Sequence, residues 1–169
     1  VGHHKFNWES LGDIRRGREN LGEEAPVLVY RLMQYTMLDV LTRAHGDERA
    51  DAYFRQAGYL AGTEFAKNML NLEVEFSSFF AELQQKLREL KMGILRIESF
   101  DPFSGEVMLT IMEDLDCSGI PVTNETVCCY DEGFLAGILE SYSGKKYTVK
   151  KIECWANGNR VCRFHGIAG

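Results

Sequence analysis

Cysteine is the residue type in this chain best suited to hold a metal ion, and all five cysteines lie in its last third: Cys117, Cys128, Cys129, Cys154 and Cys162. Cys154 and Cys162 flank Asn157-Gly158-Asn159, a sequence typical of a hairpin turn. A three-residue loop there would pair positions 154 and 162 across two strands, where paired Cβ atoms lie about 4.5–5.5 Å apart. Two thiolates at that spacing can share a metal ion.

Cys128 and Cys129 fall in the first turn of a predicted helix, whose N-terminal dipole stabilises a thiolate. Cys128 is therefore the candidate for a third ligand. The same pattern also fits three reduced cysteines packed as small hydrophobic side chains, or a disulfide between Cys154 and Cys162. The odd number of cysteines and the polar start of the chain predict a reducing, cytoplasmic location, which disfavours the disulfide.

The elements that must position these cysteines are predicted from the periodicity of apolar residues. Residues 1–25 are expected to form an irregular arm with one short strand or helix around Trp8–Ile14, and residues 26–169 a single domain. Helices are predicted over 27–45, 47–70, 75–91 and from 124 or 126 to 142, and strands over 93–100, 106–112, 147–155 and 160–167. This order predicts an α+β fold with a four-stranded antiparallel sheet.

Gly58 and Gly62 lie four residues apart on one face of the second predicted helix. Each glycine inside a helix costs about 1 kcal/mol relative to alanine, so a compensating role is expected. Three roles remain open: close packing against another helix of the same chain, room for a ligand, or a dimer contact made together with Ala57 and Ala61.

The run from Cys128 to Gly137, CCYDEGFLAG, and the hairpin Cys154…Gly158…Cys162-Arg163-Phe164 together resemble the 4-vinyl reductase domain family. The resemblance covers about residues 105–167. The helices before it are similar to those that precede this domain in the sensor regions of aromatic-responsive bacterial regulators, which extends the resemblance to about residues 26–167.

The resemblance implies a fold of the NO-signalling and Golgi-transport (TRAPP-subunit) group, often dimeric, with a pocket for aromatic or tetrapyrrole-like molecules. It also implies a structural zinc ion held by three cysteines and a glutamate, and the cysteines correspond to Cys128, Cys154 and Cys162. The glutamate position is occupied by Lys151, which is not a usual zinc ligand. Glu132, Glu153, Cys129 or a water molecule are the alternatives for the fourth position.

A ligand pocket is expected between the helices and the sheet, because methionine and aromatic side chains suit flat apolar ligands, although they are equally typical of ordinary core. Eight such residues are predicted to line it: Met33, Met37, Phe54, Phe65, Met69, Phe80, Phe134 and Trp155. Three tyrosines are candidate hydrogen-bond partners of a ligand: Tyr30, Tyr59 and Tyr130.

Charge and missing motifs narrow the function. A net charge of −6 over 169 residues argues against binding to nucleic-acid phosphates, and no apolar run is long enough for a membrane span. Neither a GxGxxG nor a GxxxxGK[ST] motif is present, so no catalytic residue is predicted and binding is favoured over catalysis. Three functions stay open: a sensor or carrier of a hydrophobic small molecule, an accessory factor or enzyme in tetrapyrrole vinyl reduction, and a non-catalytic scaffold. A homodimer and a protein partner are expected.

Overall fold

The structure, a computed structural model, describes residues 5–124 and 129–169. Its chain divides into two units, one ending at Ala50 and one spanning Asp51–Gly169. The cysteine motifs and the resemblance to the 4-vinyl reductase family lie in the second unit.

The first unit contains short capped turns and one long helix. A 3-10 helix over Trp8–Leu11 is capped by Asn7, and helix α1 (Ile14–Gly17) is capped by Asp13. These two single turns are the structure of the arm where one short element was predicted. Helix α2 (Val27–His45) follows Pro26, as the pattern predicted, and ends at Gly46, whose φ of 84° suits glycine.

Helix α3 (Asp47–Met69) follows directly and continues into the second unit. Helix α4 (Phe76–Glu89) is strongly amphipathic, and its buried face is the apolar stripe seen in the sequence: Phe79, Phe80, Leu83 and Leu87. None of the helices in the described ranges combines the length and the apolarity that crossing a membrane requires.

A single antiparallel sheet forms the layer against which α4 and helix α5 (Cys129–Ser143) pack. Its strands are β1 (Ile94–Phe100), β2 (Val107–Met112), β3 (Tyr147–Glu153) and β4 (Cys162–Ala168), in the order β1-β2-β4-β3. The predicted α+β class and four-stranded antiparallel sheet are confirmed. The two sequence-local hairpins are joined in the middle by β2 and β4, where Ile111 pairs with Cys162.

Helices α3 and α5 cross at four glycines: Gly58 and Gly62 of α3, and Gly133 and Gly137 of α5. A Cβ added at Gly58 would lie 2.0 Å from a backbone oxygen of α5, and one at Gly133 would lie 1.9 Å from a backbone oxygen of α3. Close packing within the chain is therefore the role of Gly58 and Gly62. The alternative of a dimer contact through these two glycines is wrong, because α5 already occupies that face.

Candidate metal site and ligand cavity

Three buried cysteines from distant parts of the chain meet at one end of the sheet. Cys117 comes from the loop after β2, Cys154 directly follows β3, and Cys162 begins β4. The Sγ atom of Cys117 lies 3.0 Å from that of Cys162 and 3.9 Å from that of Cys154. All three side chains are reduced and are at most 1% exposed. We call these three residues the sulfur cluster.

The β3–β4 hairpin brings Cys154 and Cys162 together as the sequence predicted. Strand β3 ends at Glu153, which pairs with Arg163, so the register places Cys154 opposite Cys162. The connection contains a 3-10 turn over Trp155–Asn157 and is longer than the predicted three-residue loop. The predicted third ligand, Cys128, lies outside the described residues.

Cys117 is the member of the cluster that the sequence analysis did not assign. The sequence predicted both hairpins but not that β2 and β4 are neighbours. That pairing carries the segment after β2 past the start of β4, where Cys162 lies. An acidic run that ends in cysteine just after a buried strand, Asp114-Leu115-Asp116-Cys117, was the available signal.

Cys129 lies elsewhere, on α5, where burial, Asp51 and Glu132 raise the pKa of its thiol to about 11, with Arg55 opposing them. A buried thiol with a raised pKa is a poor nucleophile and a poor ligand. This position agrees with the interpretation of Cys129 as an inert core thiol.

The two carboxylates considered as substitutes for the family glutamate are engaged in other interactions. Oε1 of Glu132 accepts a hydrogen bond of 2.9 Å from the backbone N–H of Lys151, and Oε2 accepts one of 2.9 Å from Nε of Arg55. Glu153 forms an ion pair with Arg163, with 3.6 Å between Oε1 and Nη1. Glu132 thus ties α3, α5 and β3 together.

A second group of acidic residues lies beside the sulfur cluster. One carboxylate oxygen from each of Asp114, Asp116 and Asp131 lies within 4.8 Å of the other two. Burial raises the pKa of Asp131 well above its usual range, Asp114 and Asp116 raise it further, and the ammonium of Lys151 opposes the shift. Nζ of Lys151 lies 3.6 Å from Oδ2 of Asp131, and the lysine side chain is 2% exposed.

The donor set of the sulfur cluster fits a soft divalent cation such as Zn²⁺, which thiolates prefer. Two sulfurs bound about 2.3 Å from one tetrahedral zinc ion lie about 3.8 Å apart. The separation of 3.9 Å between Cys117 and Cys154 matches this value, whereas the 3.0 Å between Cys117 and Cys162 would have to widen. Without a cation, hydrogen bonds from Cys117 and Cys154 together with burial hold the pKa of Cys162 far above its usual range.

A small cavity lies next to both groups, between α4, α5 and the β1–β2 hairpin. Its volume is about 20 Å³, which is room for one water molecule. Its walls are mostly apolar and include two carboxyl groups: Leu87, Met92, Gly93, Ile111, Asp114, Asp131, Phe134 and Leu135. Phe134, one of the eight residues predicted to line a pocket, lies in this wall.

The other seven predicted pocket residues occupy three kinds of environment. Phe65 and Phe80 are buried, and the ring of Phe65 lies 5.4 Å from that of Phe134. Partial burial is found at Phe54, Met69 and Trp155. Met33 and Met37 on α2 are 62% and 50% exposed. Their part in ligand binding stays a prediction.

The candidate tyrosines are partly buried. Burial raises the pKa of Tyr130 to about 12, with Asp116 and Asp131 contributing, and its ring stacks on Phe134 at 6.4 Å. Burial likewise raises the pKa of Tyr59, which also interacts with Glu140. Tyr130 is thus the tyrosine placed nearest to the cavity wall.

Comparison with known proteins places this arrangement in a recognised group. The chain is 27% identical over 146 residues to the uncharacterized protein MJ1642 of Methanocaldococcus jannaschii, which covers 86% of this chain and 80% of that protein. A vinyl-4-reductase family protein from the same organism superposes with a TM-score of 0.64 at 15% identity, covering 100% of this chain and 99% of the other.

Two further solved structures share the fold. The phenol-responsive sensory domain of the transcription activator PoxR, with phenol bound, has a TM-score of 0.65 at 16% identity and covers 87% of this chain and 76% of its own. A trafficking protein particle complex subunit 3 from Naegleria fowleri, covalently bound to palmitic acid, has a TM-score of 0.62 at 11% identity and covers 85% and 97%. The predicted relation to the TRAPP-subunit fold is confirmed.

The segment from β2 to the end of β4 contains the cavity wall of α5 and two of the three cluster cysteines. It also carries the glycine and cysteine spacing on which the sequence resemblance rested. Residues 107–167 match the family model of the 4-vinyl reductase domain. The chain therefore carries a 4-vinyl reductase domain over these residues, as its motifs predicted.

Proposed function

We propose that this protein is a non-catalytic binding module for a small, largely apolar molecule, and that it acts as a sensor or carrier. The observation that carries the proposal is the cavity itself, whose apolar wall contains the Asp114 and Asp131 carboxyl groups. Ligand sites typically combine apolar walls with a few polar groups that orient the ligand. The shared fold with a phenol-responsive sensory domain supports the same interpretation.

The chemistry of the wall favours a single aromatic ring that bears a hydroxyl group. Phe134 and Leu87 offer apolar contact to a ring, and the Asp131 carboxyl offers a hydrogen-bond partner to the hydroxyl. A cavity of about 20 Å³ does not hold a whole ring, so binding must displace a wall side chain. Met92 is suited to move, because its unbranched thioether side chain repacks easily.

The test compares phenol with toluene, which has the same ring but no hydroxyl group, by isothermal titration calorimetry on the full chain. Loss of one hydrogen bond is expected to weaken binding of phenol to Asp131→Asn up to about tenfold, while binding of toluene changes little. Asp47→Asn, at an exposed position in the first turn of α3, is the matched control. Met92→Ala should bind phenol more tightly than the wild type because it enlarges the cavity.

Circular dichroism of each variant separates a binding defect from unfolding. If folded wild-type protein and folded Met92→Ala both fail to bind either compound saturably, the proposed binding of a small aromatic molecule is refuted. Equal losses of phenol and toluene in Asp131→Asn would refute the role of the carboxyl group.

We also propose that the end of the β3–β4 hairpin holds a structural zinc ion through Cys154 and Cys162, as the family resemblance implies. When bound, zinc supplies a cross-link between segments that have no disulfide. The supporting observation is the juxtaposition of these two buried, reduced thiols with a third. The proposed zinc site and the proposed ligand cavity stand independently of each other.

A further inference from the structure

We propose that Cys117 is a zinc ligand of this chain, and that it supplies the donor that the lysine at position 151 does not. The inference rests on the proposed zinc site and adds a ligand that neither the family pattern nor the hairpin spacing contains. It assigns the metal to a site that joins the loop after β2 to the β3–β4 hairpin.

Geometry is the first argument. Cys117 lies closer to Cys162 than Cys154 does to Cys117, with Sγ separations of 3.0 and 3.9 Å, and its side chain is fully buried. Three thiols gathered this closely from three separate segments form a donor set of the kind found in structural zinc sites.

The loop that carries Cys117 is held in place by its own hydrogen bonds. Oδ1 of Asp114 accepts bonds from the backbone N–H groups of Asp116, at 2.8 Å, and of Cys117, at 3.3 Å. The backbone N–H of Leu115 donates to the carbonyl of Met92 at 2.9 Å. Asp114 thus acts as a positioning residue that directs the Cys117 thiol toward the hairpin.

Charge is the second argument. Three thiolates around a divalent cation carry a net charge of −1, which is costly to bury without compensation. The ammonium of Lys151 is buried, lies 5.0 Å from the ring centre of Phe164, two residues after Cys162, and acts electrostatically on Cys162. A lysine at the family glutamate position therefore suits a site in which a cysteine replaces the carboxylate as ligand.

The experiment titrates the reduced, metal-free full chain with Co²⁺, whose thiolate charge-transfer absorption grows with the number of bound sulfurs, and then displaces it with Zn²⁺. Cys117→Ser is expected to lose about a third of that absorption in a three-thiolate site, or about a quarter if Cys128 also binds. Its zinc affinity should fall by more than about tenfold, since even changes to residues behind the ligands cost that much.

Two variants frame the result. Cys129→Ser removes a buried cysteine outside the cluster and should match the wild type. Cys162→Ser removes a ligand required by both the proposed site and the family pattern and should nearly abolish binding. Unchanged absorption and affinity in Cys117→Ser, with loss in Cys162→Ser, would overturn the role of Cys117 and leave the proposed zinc site intact. No tight binding by the wild type would overturn both.

A second measurement covers the case in which Cys117→Ser does not fold. Wild-type protein is alkylated in mild denaturant with and without Zn²⁺, and labelling of each cysteine is followed by mass spectrometry. Zinc should protect Cys117 together with Cys154 and Cys162 but leave Cys129 unchanged. Protection of Cys154 and Cys162 without Cys117 would contradict the proposal.

Discussion

The two kinds of buried cysteine in this chain differ in what surrounds the sulfur. In the sulfur cluster each thiol faces other thiols, with Lys151 nearby, whereas Cys129 faces the carboxylates of Asp51 and Glu132. An environment of carboxylates disfavours a thiolate, and one that a cation can enter favours it. Residue type alone, in a cysteine pair such as 128 and 129, does not reveal which environment each member has.

Reactivity of Cys129 provides a direct test at the scale of the residue. With a pKa of about 11 instead of 9.0, its thiolate at pH 8 is about a hundredfold scarcer, so iodoacetamide should label it at least about a hundredfold more slowly in the native than in the denatured chain. Mass spectrometry of labelled peptides gives both rates. Equal rates in the two states would contradict the burial described for this thiol.

The raised pKa of Cys129 also links stability to pH. As pH rises, the unfolded chain loses this proton near pH 9 and the folded chain only near pH 11, so the contribution of the neutral thiol is complete below about pH 9 and is lost between about 9 and 11. Denaturation of Cys129→Ser should therefore lack this part of the pH dependence.

At the scale of the element, the crossing of α3 and α5 depends on four glycines that leave no space for a side chain. Gly62→Ala would place a Cβ 2.1 Å from the backbone oxygen of Phe134. Backbone atoms cannot give way as a side chain does, so we expect the free energy of unfolding to fall by about 1–3 kcal/mol, despite the better helix propensity of alanine.

Gly17→Ala is the matched control for that change. Gly17 lies in α1 with no atom within 4 Å of an added Cβ and without a positive φ. Urea denaturation of both variants gives the comparison, with Gly17→Ala expected to be neutral or slightly stabilising. A Gly62→Ala protein as stable as the wild type would show that the helices do not cross this closely in solution.

The elements were largely predictable from sequence, because they depend on local periodicity. Helix α2 and the strands fall where the apolar pattern placed them, and Gly46 and the Asn157-Gly158-Asn159 turn mark real chain reversals. Adjacency between hairpins was not predictable, because nothing local encodes which edge of β2 meets β4. For that reason Cys154 and Cys162 were found in the sequence, whereas Cys117 and the carboxylates of the cavity were not.

At the scale of the whole molecule, removal of the proposed zinc is expected to loosen the β3–β4 end of the sheet. Zinc at a hundredfold excess over its Kd contributes about 2.7 kcal/mol, and 1 kcal/mol corresponds to about 2–4 °C in a domain of this size. A chelator should therefore lower the Tm of the wild type by at least about 5 °C.

The same scan of Cys162→Ser should show no response to the chelator, and Cys129→Ser should respond as the wild type does. A chelator-insensitive Tm in wild-type protein that contains zinc would contradict a structural role for the metal. The predicted homodimer and protein partner stay predictions. A dimer contact through Gly58 and Gly62 is no longer among the options, because α5 fills that face.

The central position of the β2–β4 pair has a consequence for how the chain folds. The outer pairs of the sheet are hairpins between neighbouring segments, but Val107 pairs with Gly166, nearly the full length of the 4-vinyl reductase domain away. Closing so long a loop costs more chain entropy than closing either hairpin. We therefore expect both hairpins and α5 to form early and the middle of the sheet to close last, bringing Cys117 to its partners only when folding is nearly complete.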